Sequence, residues 1–583
     1  MNTAGRGLLL VLCAAFSLRC TTPSLPANAP EPLGLFVHYG LYSVAGGCWN
    51  GEKVPFYAEQ IMNHARISPQ EYGLLASQFT AAQFNADSLV QLAKDAGMQY
   101  ILFTAKHHDG FCLFNSPSSK GYNSVEATPS HRDFVAELAS ACARGGIKLG
   151  LYFSLPDWHF PQSLPIPRPT ADTLTDCTEF VNQVYSPLEK ISAPLEELIV
   201  QQITELLTQY GPVYTLWFDM GMPTAAQSRR WRQTVKKYQP DCLIGGRIGN
   251  YCGDYLTLPD NANVYGFPPG PWDSPSSMYG TWGYRSWQET PPVDQQVERQ
   301  LHRLVQTVSH GGSFVLNTGP ASEGNVPAYE ATVLRTMGKW VKQNAASLYQ
   351  IQPSPFIRLP QGLACTVRPR EDLNGGSLYL TVFRDYPVER LFVTPTHLSS
   401  VLHQYGLQNR TATPSSPQAG PAGNSDSLPY VIELSYTDTL QVVTPGVSPQ
   451  EDGTLLLTEQ NGYTLAAYDG QGYISCQSEA KKVWYLYDTP PGTYHVYASY
   501  LPELPAQRYR LTVTPLGEGE EAKKTHSLES VFPGVDNMLQ NFYAGTVILT
   551  LNSMVSLESV SDNPLEPLHL EQVSFKIIPQ GIR

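Results

Sequence analysis

Charge is scarce in this chain. Only 15% of its 583 residues are Asp, Glu, Lys or Arg, and the net charge is −13. No stripe of Lys and Arg runs through it, which excludes nucleic acid and anionic membrane surfaces as natural partners. Cysteine is sparse too, ten residues in all. None forms a C-x-x-C pair, so zinc-ribbon and dithiol redox motifs are absent. No apolar run is long enough to cross a bilayer as a helix. What is plentiful is core material: 42% hydrophobic residues and 11% aromatic, with 33 Tyr and 9 Trp. That composition describes a folded, multidomain chain rather than a disordered one.

The first twenty residues, "MNTAGRGLLLVLCAAFSLRC", carry Arg6 and then an apolar run from Leu8 to Phe16. This reads as a signal peptide. Cys20 closes the segment, and the polar, Pro-rich "TTPSLPANAPEP" follows. The pattern predicts a bacterial lipoprotein lipidated at Cys20, held by a linker over 21–32, in the periplasm or on the outer membrane. Arg19 is atypical before a lipidated cysteine, so plain secretion stays as the alternative.

From 33 to about 350, short apolar segments alternate with helical ones. "NADSLVQLAKDAGMQYILFTAKHHDGF" (85–111) reads as cap, helix, Gly stop and strand. "HRDFVAELASACARGGIKLGLYFS" (131–154) and "LEELIVQQITELLTQYGPVYTLWFDM" (195–220) repeat the unit, as do "SRRWRQTVKKYQPDCLIGGR" (228–247) and "QVERQLHRLVQTVSHGGSFVLNTGP" (296–320). Serial helix–Gly–strand units predict a parallel sheet closed as a (β/α)8-like barrel. Six strands are plain, and the sixth and seventh of the barrel are blurred within 255–290. After 350, short alternating runs with turn signals predict antiparallel β-sandwiches over 351–445 and 446–583. The second is a candidate carbohydrate binder through Trp484, Tyr485 or Tyr487.

The strands end in chemically active residues: His38, His107 and His108, Tyr152, Asp219, Arg247 and Asn317. In a barrel those ends share one face and line one pocket. Asp219 is the sharpest case, since a carboxylate after "LWF" would cost about several kcal/mol if buried and unpaired. A helix N-cap is its bland alternative, although Thr224 is better placed to cap the next helix. "KHHDGF" (106–111) has imidazole and carboxylate together, but no third ligand at metal spacing follows. No metal or other cofactor is expected. The two imidazoles suit sugar hydroxyls, and a buried hydrogen-bonded pair is the alternative.

"GLFVHYGLYS", "YAEQIMN", "AGMQYILFTAKHHDGFCLF", "GLYFSLPDW", "LWFDM", "SMYGTWGY" and "FVLNTGP" follow one another in that order. In this the chain resembles the α-L-fucosidases of glycoside hydrolase family 29. The resemblance runs from about Leu33 to Pro327. It implies a metal-free, retaining exo-hydrolase acting on fucosylated glycans, with Asp219 as nucleophile. It implies fucose contacts from His38, His107, His108 and Trp217, with Tyr152 as a further match and Phe56–Tyr57 beside the pocket. Many members carry the acid/base as Glu in a "W-E" motif before "WGY". Here the counterpart is Asp273, in "PWDSPSSMYGTWGY", and Asp254 and Asp260 are its rivals. The missing Glu leaves two alternatives, a glycan binder on an impaired barrel and an exo-glycosidase for a related galacto-configured sugar.

Overall fold

In the computed structural model, residues 29–160 and 191–580 are described, apart from breaks at 222, within 263–269, at 373, 388–392, 413–427 and 443–445, and in several loops after 450. Cys20 and the N-terminal apolar run lie outside the described residues, as do Cys177, Cys476 and Tyr487.

Eight parallel strands make the central sheet: β1 Leu33–Val37, β2 Tyr100–Lys106, β3 Lys148–Ser154, β4 Thr215–Asp219, β5 Leu243–Ile244, β6 Leu256–Thr257, β7 Trp272–Ser276 and β8 Ser313–Thr318. Their spatial order is β5-β4-β3-β2-β1-β8-β7-β6. Six helices supply the outer layer: α1 Ala86–Asp95, α2 Phe134–Gly145, α3 Ala193–Gln209, α4 Ala225–Tyr238, α5 Val293–Ser309 and α6 Ala328–Gln343. Each of α1 to α4 starts where a side chain takes an orphan backbone N–H: Asn85, Asp133, Ser192 and Thr224, the last in a reciprocal capping box with Gln227. Gly146 ends α2 with φ 69°, a left-handed conformation that glycine adopts without strain.

The strands are buried along almost their whole length because both faces are covered. Leu216 and Phe218 of β4 pack outward into the helix layer. Trp217, one residue out of phase, joins Phe36, Tyr152, Tyr255 and Trp282 inside the barrel. By the same two-residue period Asp219 faces inward.

No α-helix separates β5, β6 and β7 among the described residues, only the 3-10 turn Gly246–Ile248 between β5 and β6. No ladder joins β5 to β6 there either; instead Asp254 closes the seam. Its backbone N–H donates to Ile244 O at 2.7 Å, and its carboxylate accepts from Ile244 N at 3.0 Å. Arg232 and Lys236 each pair with that carboxylate at 2.7 Å.

The C-terminal third is antiparallel, as expected. Strands Leu363–Pro369, Gly375–Val382, Tyr430–Thr437 and Thr411–Ala412 form one sheet in that order. Leu363, Cys365 and Val367 face a helix over Pro395–Gln404 through Leu398 and Leu402. Ala364 and Val431 turn the other way and join the barrel's core, where Trp340 Nε1 donates to Pro429 O at 2.7 Å. Within 351–445 the described residues thus make a sheet between a helix and the barrel. Beyond 446, a four-stranded and a five-stranded sheet share a core of Leu455, Trp484, Leu511, Val555 and Ile577, a β-sandwich. Trp484 is in that core, its indole N–H on Thr458 O at 2.9 Å, and offers no face to a sugar. Cys48, Cys112, Cys142, Cys242, Cys252 and Cys365 are free thiols.

Candidate active site

The strand C-termini converge on a cavity of about 350 Å³. That is near the small end for ligand pockets, roughly 300–1,000 Å³, and suits one sugar ring rather than a chain. His38, His107, His108, Tyr152, Trp217, Asp219 and Tyr57 all line it. Phe56 does not; the residue is 44% exposed, and its carbonyl accepts from Arg285. The walls also include Glu59, Arg247, Asp260 and Trp282.

Asp219 sits at the end of β4, only 9% exposed. Tyr152 Oη donates to its Oδ2 at 2.8 Å and Arg247 Nη1 donates to its Oδ1 at 2.8 Å. His108 Nε2 stands 3.8 Å from Oδ2. Burial pushes the carboxyl pKa up, but the Arg247 guanidinium and the neighbouring donors outweigh it. The net direction is below the ordinary carboxylate value. Asp219 is therefore a buried carboxylate kept ionised by donors already in place.

Arg247 sits on the short turn Gly246–Ile248 just past β5. Its Nη2 donates to a carboxylate oxygen of Asp260, in the loop after β6. One guanidinium thus carries two carboxylates, one on each terminal nitrogen. Asp260 keeps 36% of its side chain accessible. Burial of the carboxyl among protein groups and the charge of Asp219 raise its pKa, against the pull of Arg247. Asp219 and Asp260, on one guanidinium, are displaced in opposite directions.

The histidines are held neutral. Burial takes His38 down to about 3 and His108 down to about 4, and it takes His107 well below its ordinary value. The tautomers of His38 and His108 follow from their partners. Asn317 Nδ2 donates to Trp282 O at 2.7 Å, so its Oδ1 accepts from His38 Nδ1 at 2.7 Å. Ser154 Oγ donates to Pro156 O at 2.9 Å and so accepts from His108 Nδ1 at 2.7 Å. In both rings Nε2 remains as a hydrogen-bond acceptor. His107 lies between them, its ring stacked 5.3 Å from Tyr152, and its Nδ1 has no partner. Asp109, the carboxylate of the same "HHD" run, turns away and accepts from Tyr72 Oη at 2.8 Å.

Glu59 was not singled out from the sequence. It lies on the turn Ala58–Gln60, 2% exposed. Its Oε2 accepts from Thr281 Oγ1 and from the backbone N–H of Trp282 and Gly283 at 2.8–3.1 Å, and Oε1 has no partner. Burial raises its pKa.

Asp273 is not in the cavity wall. It lies on β7 on a rung with Ser313, the first residue of β8, whereas Asp219 shares a rung with Ser154, the last of β3. Its Oδ2 accepts from Trp217 Nε1 at 2.8 Å, beneath the pocket. Asp254, the other rival, is the seam residue described above. Among the described residues no group of three or more His, Cys, Asp or Glu is placed to hold a metal ion.

A one-ring pocket at the C-terminal face of a parallel barrel, with two carboxylates on one guanidinium, is the layout of a glycoside hydrolase site. The comparisons say which kind. The family model described as alpha-L-fucosidase matches residues 26–346. The bovine tissue alpha-L-fucosidase is 30% identical over 360 residues, covering 57% of this chain and 72% of that protein. The human tissue enzyme is 30% identical over 380 residues, covering 59% and 77%. A bacterial fucosidase solved with a pyrrolidine–triazole inhibitor shares the fold, with a TM-score of 0.56 at 24% identity over 70% of this chain and 93% of its own. The chain belongs to the α-L-fucosidase family, glycoside hydrolase family 29.

Proposed function

We propose that the chain releases single terminal L-fucose residues from glycans with retention, using Asp219 as nucleophile and Asp260 as acid/base. In the first step an Asp219 oxygen bonds to the anomeric carbon as the glycosidic C–O bond breaks. Asp260 gives its proton to the departing oxygen. In the second, Asp260 takes a proton from water, the water oxygen bonds to the same carbon, and the Asp219 ester bond breaks.

The observation that carries the pairing is the shared guanidinium. Arg247 holds Asp219 and Asp260 as neighbours, and a retaining pair needs its carboxyls only roughly 5–5.5 Å apart. Their opposed pKa shifts favour Asp219, the more acidic partner, as nucleophile and Asp260, the less acidic, as acid. Asp273 lies outside the cavity wall on the Trp217 N–H, which speaks against it as the acid. With Asp260 in the wall, the missing Glu no longer favours an impaired binder.

His38 and His108 accept from sugar hydroxyls through Nε2, and Glu59 Oε1 and His107 Nδ1 meet others. Trp217, Trp282 and Tyr57 pack the apolar side of the ring. The small cavity favours exo action. The apolar run before Cys20 favours export, with glycans outside the cytoplasm as substrates, and no helix among the described residues is long and apolar enough to cross a membrane.

Azide tests the pairing. Asp260→Ala should lose most activity on a poor leaving group, keep more on 4-nitrophenyl fucoside, and be accelerated by azide with fucosyl azide as product. Wild-type turnover in that variant removes Asp260 from the mechanism.

A further inference from the structure

Asp273 is a carboxylate only 1% exposed in the barrel interior. A Trp N–H needs only a neutral acceptor, and a buried acid is a costly way to provide one. Burial pushes its carboxyl up to about 6, against the pull of the Thr257 hydroxyl and the Trp217 N–H. What the acid holds explains the cost. The Trp217 indole lies stacked against Tyr152, ring centres 5.6 Å apart and 24° from parallel. Its face also carries the Arg247 guanidinium at 4.7 Å. Tyr152 and Arg247 are the two donors to Asp219. One indole therefore touches both groups that hold the nucleophile, and Asp273 bonds the only polar atom of that indole.

We propose that Asp273 is a positioning residue, which fixes Tyr152 and Arg247, and through them the Asp219 carboxylate, by anchoring the Trp217 indole. The anchor stops rotation of the ring about its side-chain bonds. It also puts negative charge at the N–H end of the indole, which strengthens the attraction of its face for Arg247. This rests on the assignment of Asp219 as nucleophile and deepens it. Asp273 takes no part in proton transfer to the leaving group.

The test compares Asp273→Asn with Asp273→Ala on two aryl fucosides, one with a good and one with a poor leaving group, with and without azide. Asparagine keeps an oxygen acceptor for the indole and alanine does not. The expected loss for alanine is roughly a hundredfold, mainly in kcat, with asparagine within about tenfold of wild type, since small misplacements of reacting groups cost on that scale. The loss should be the same for both substrates, and azide should not relieve it. Wild-type activity in the alanine variant, or asparagine no better than alanine, overturns the proposal.

If the alanine variant does not fold, Asp273→Asn, Trp217→Phe and their double variant carry the test. Phenylalanine removes the N–H, so the double should be no worse than Trp217→Phe alone; additive losses overturn the anchor. Asp260→Ala run alongside separates the two readings. Azide acceleration of that variant alone supports both. Acceleration of neither removes Asp260 as acid/base and leaves Asp273 resting on the contrast between asparagine and alanine. Acceleration of Asp273→Ala overturns both.

Discussion

At the scale of single residues, the site is an exercise in keeping charge where it is needed. Asp219 is ionised despite burial because Arg247 and Tyr152 stand on its oxygens. The three histidines beside it stay neutral, so none competes as a cation for its carboxylate. Arg247→Met therefore carries a signed prediction. Without the guanidinium the pKa values of both Asp219 and Asp260 rise. Both limbs of the kcat/KM profile should move to higher pH, with the larger loss on the acid side, as a pH series on 4-nitrophenyl fucoside will read. An unmoved acid limb would mean that Arg247 does not hold Asp219 ionised.

At the scale of elements, the barrel strands deliver these residues by period and by cap. The inward phase of β4 and the strand ends of β1 and β2 were legible in the sequence, because continuous apolar runs with Gly stops and capping residues mark them. So were His38, His107, His108, Tyr152, Trp217 and Asp219 as one set. Asp260 was less legible. The preceding strand, β6, is two residues long and no helix follows it among the described residues, so neither hydrophobic period nor cap announces a strand end there. Motif spacing instead favoured Asp273, which is inside the barrel but below the pocket. Glu59 was hidden because its partners, Thr281 to Gly283, lie more than 220 residues away in sequence.

One contact between elements has its own pH signature. Glu330 on α6 accepts from Thr318 Oγ1 at 2.5 Å and from Gly319 N at 3.1 Å, tying the end of β8 to its helix. Burial raises its pKa from 4.5 to about 7. The folded chain then holds this proton longer than the unfolded one does. Stability from the group is full below about 4.5, falls as pH rises through about 7, and is level above, by up to about 3 kcal/mol. Glu330→Gln keeps the acceptor without the charge. Its melting temperature relative to wild type should rise between pH 5 and pH 8, and an unchanged difference would refute the buried titration.

At the scale of the whole molecule, separate cores divide the labour. The barrel core extends into the first C-terminal sheet through Ala364 and Val431, so that sheet is part of the catalytic body. The final sandwich has a core of its own. The pocket draws on seven of the eight barrel segments, which is why the barrel must close even across a seam with no ladder. In the proposed mechanism, one oxygen of Asp219 bonds to the anomeric carbon of fucose. The direct measurement is labelling with 2-fluoro-fucosyl fluoride followed by peptide mapping. The account predicts one fluorofucosyl group per chain, on Asp219, with activity lost in step and recovered as the ester turns over. A label on any other residue, or hydrolysis with inversion and no label at all, would contradict it.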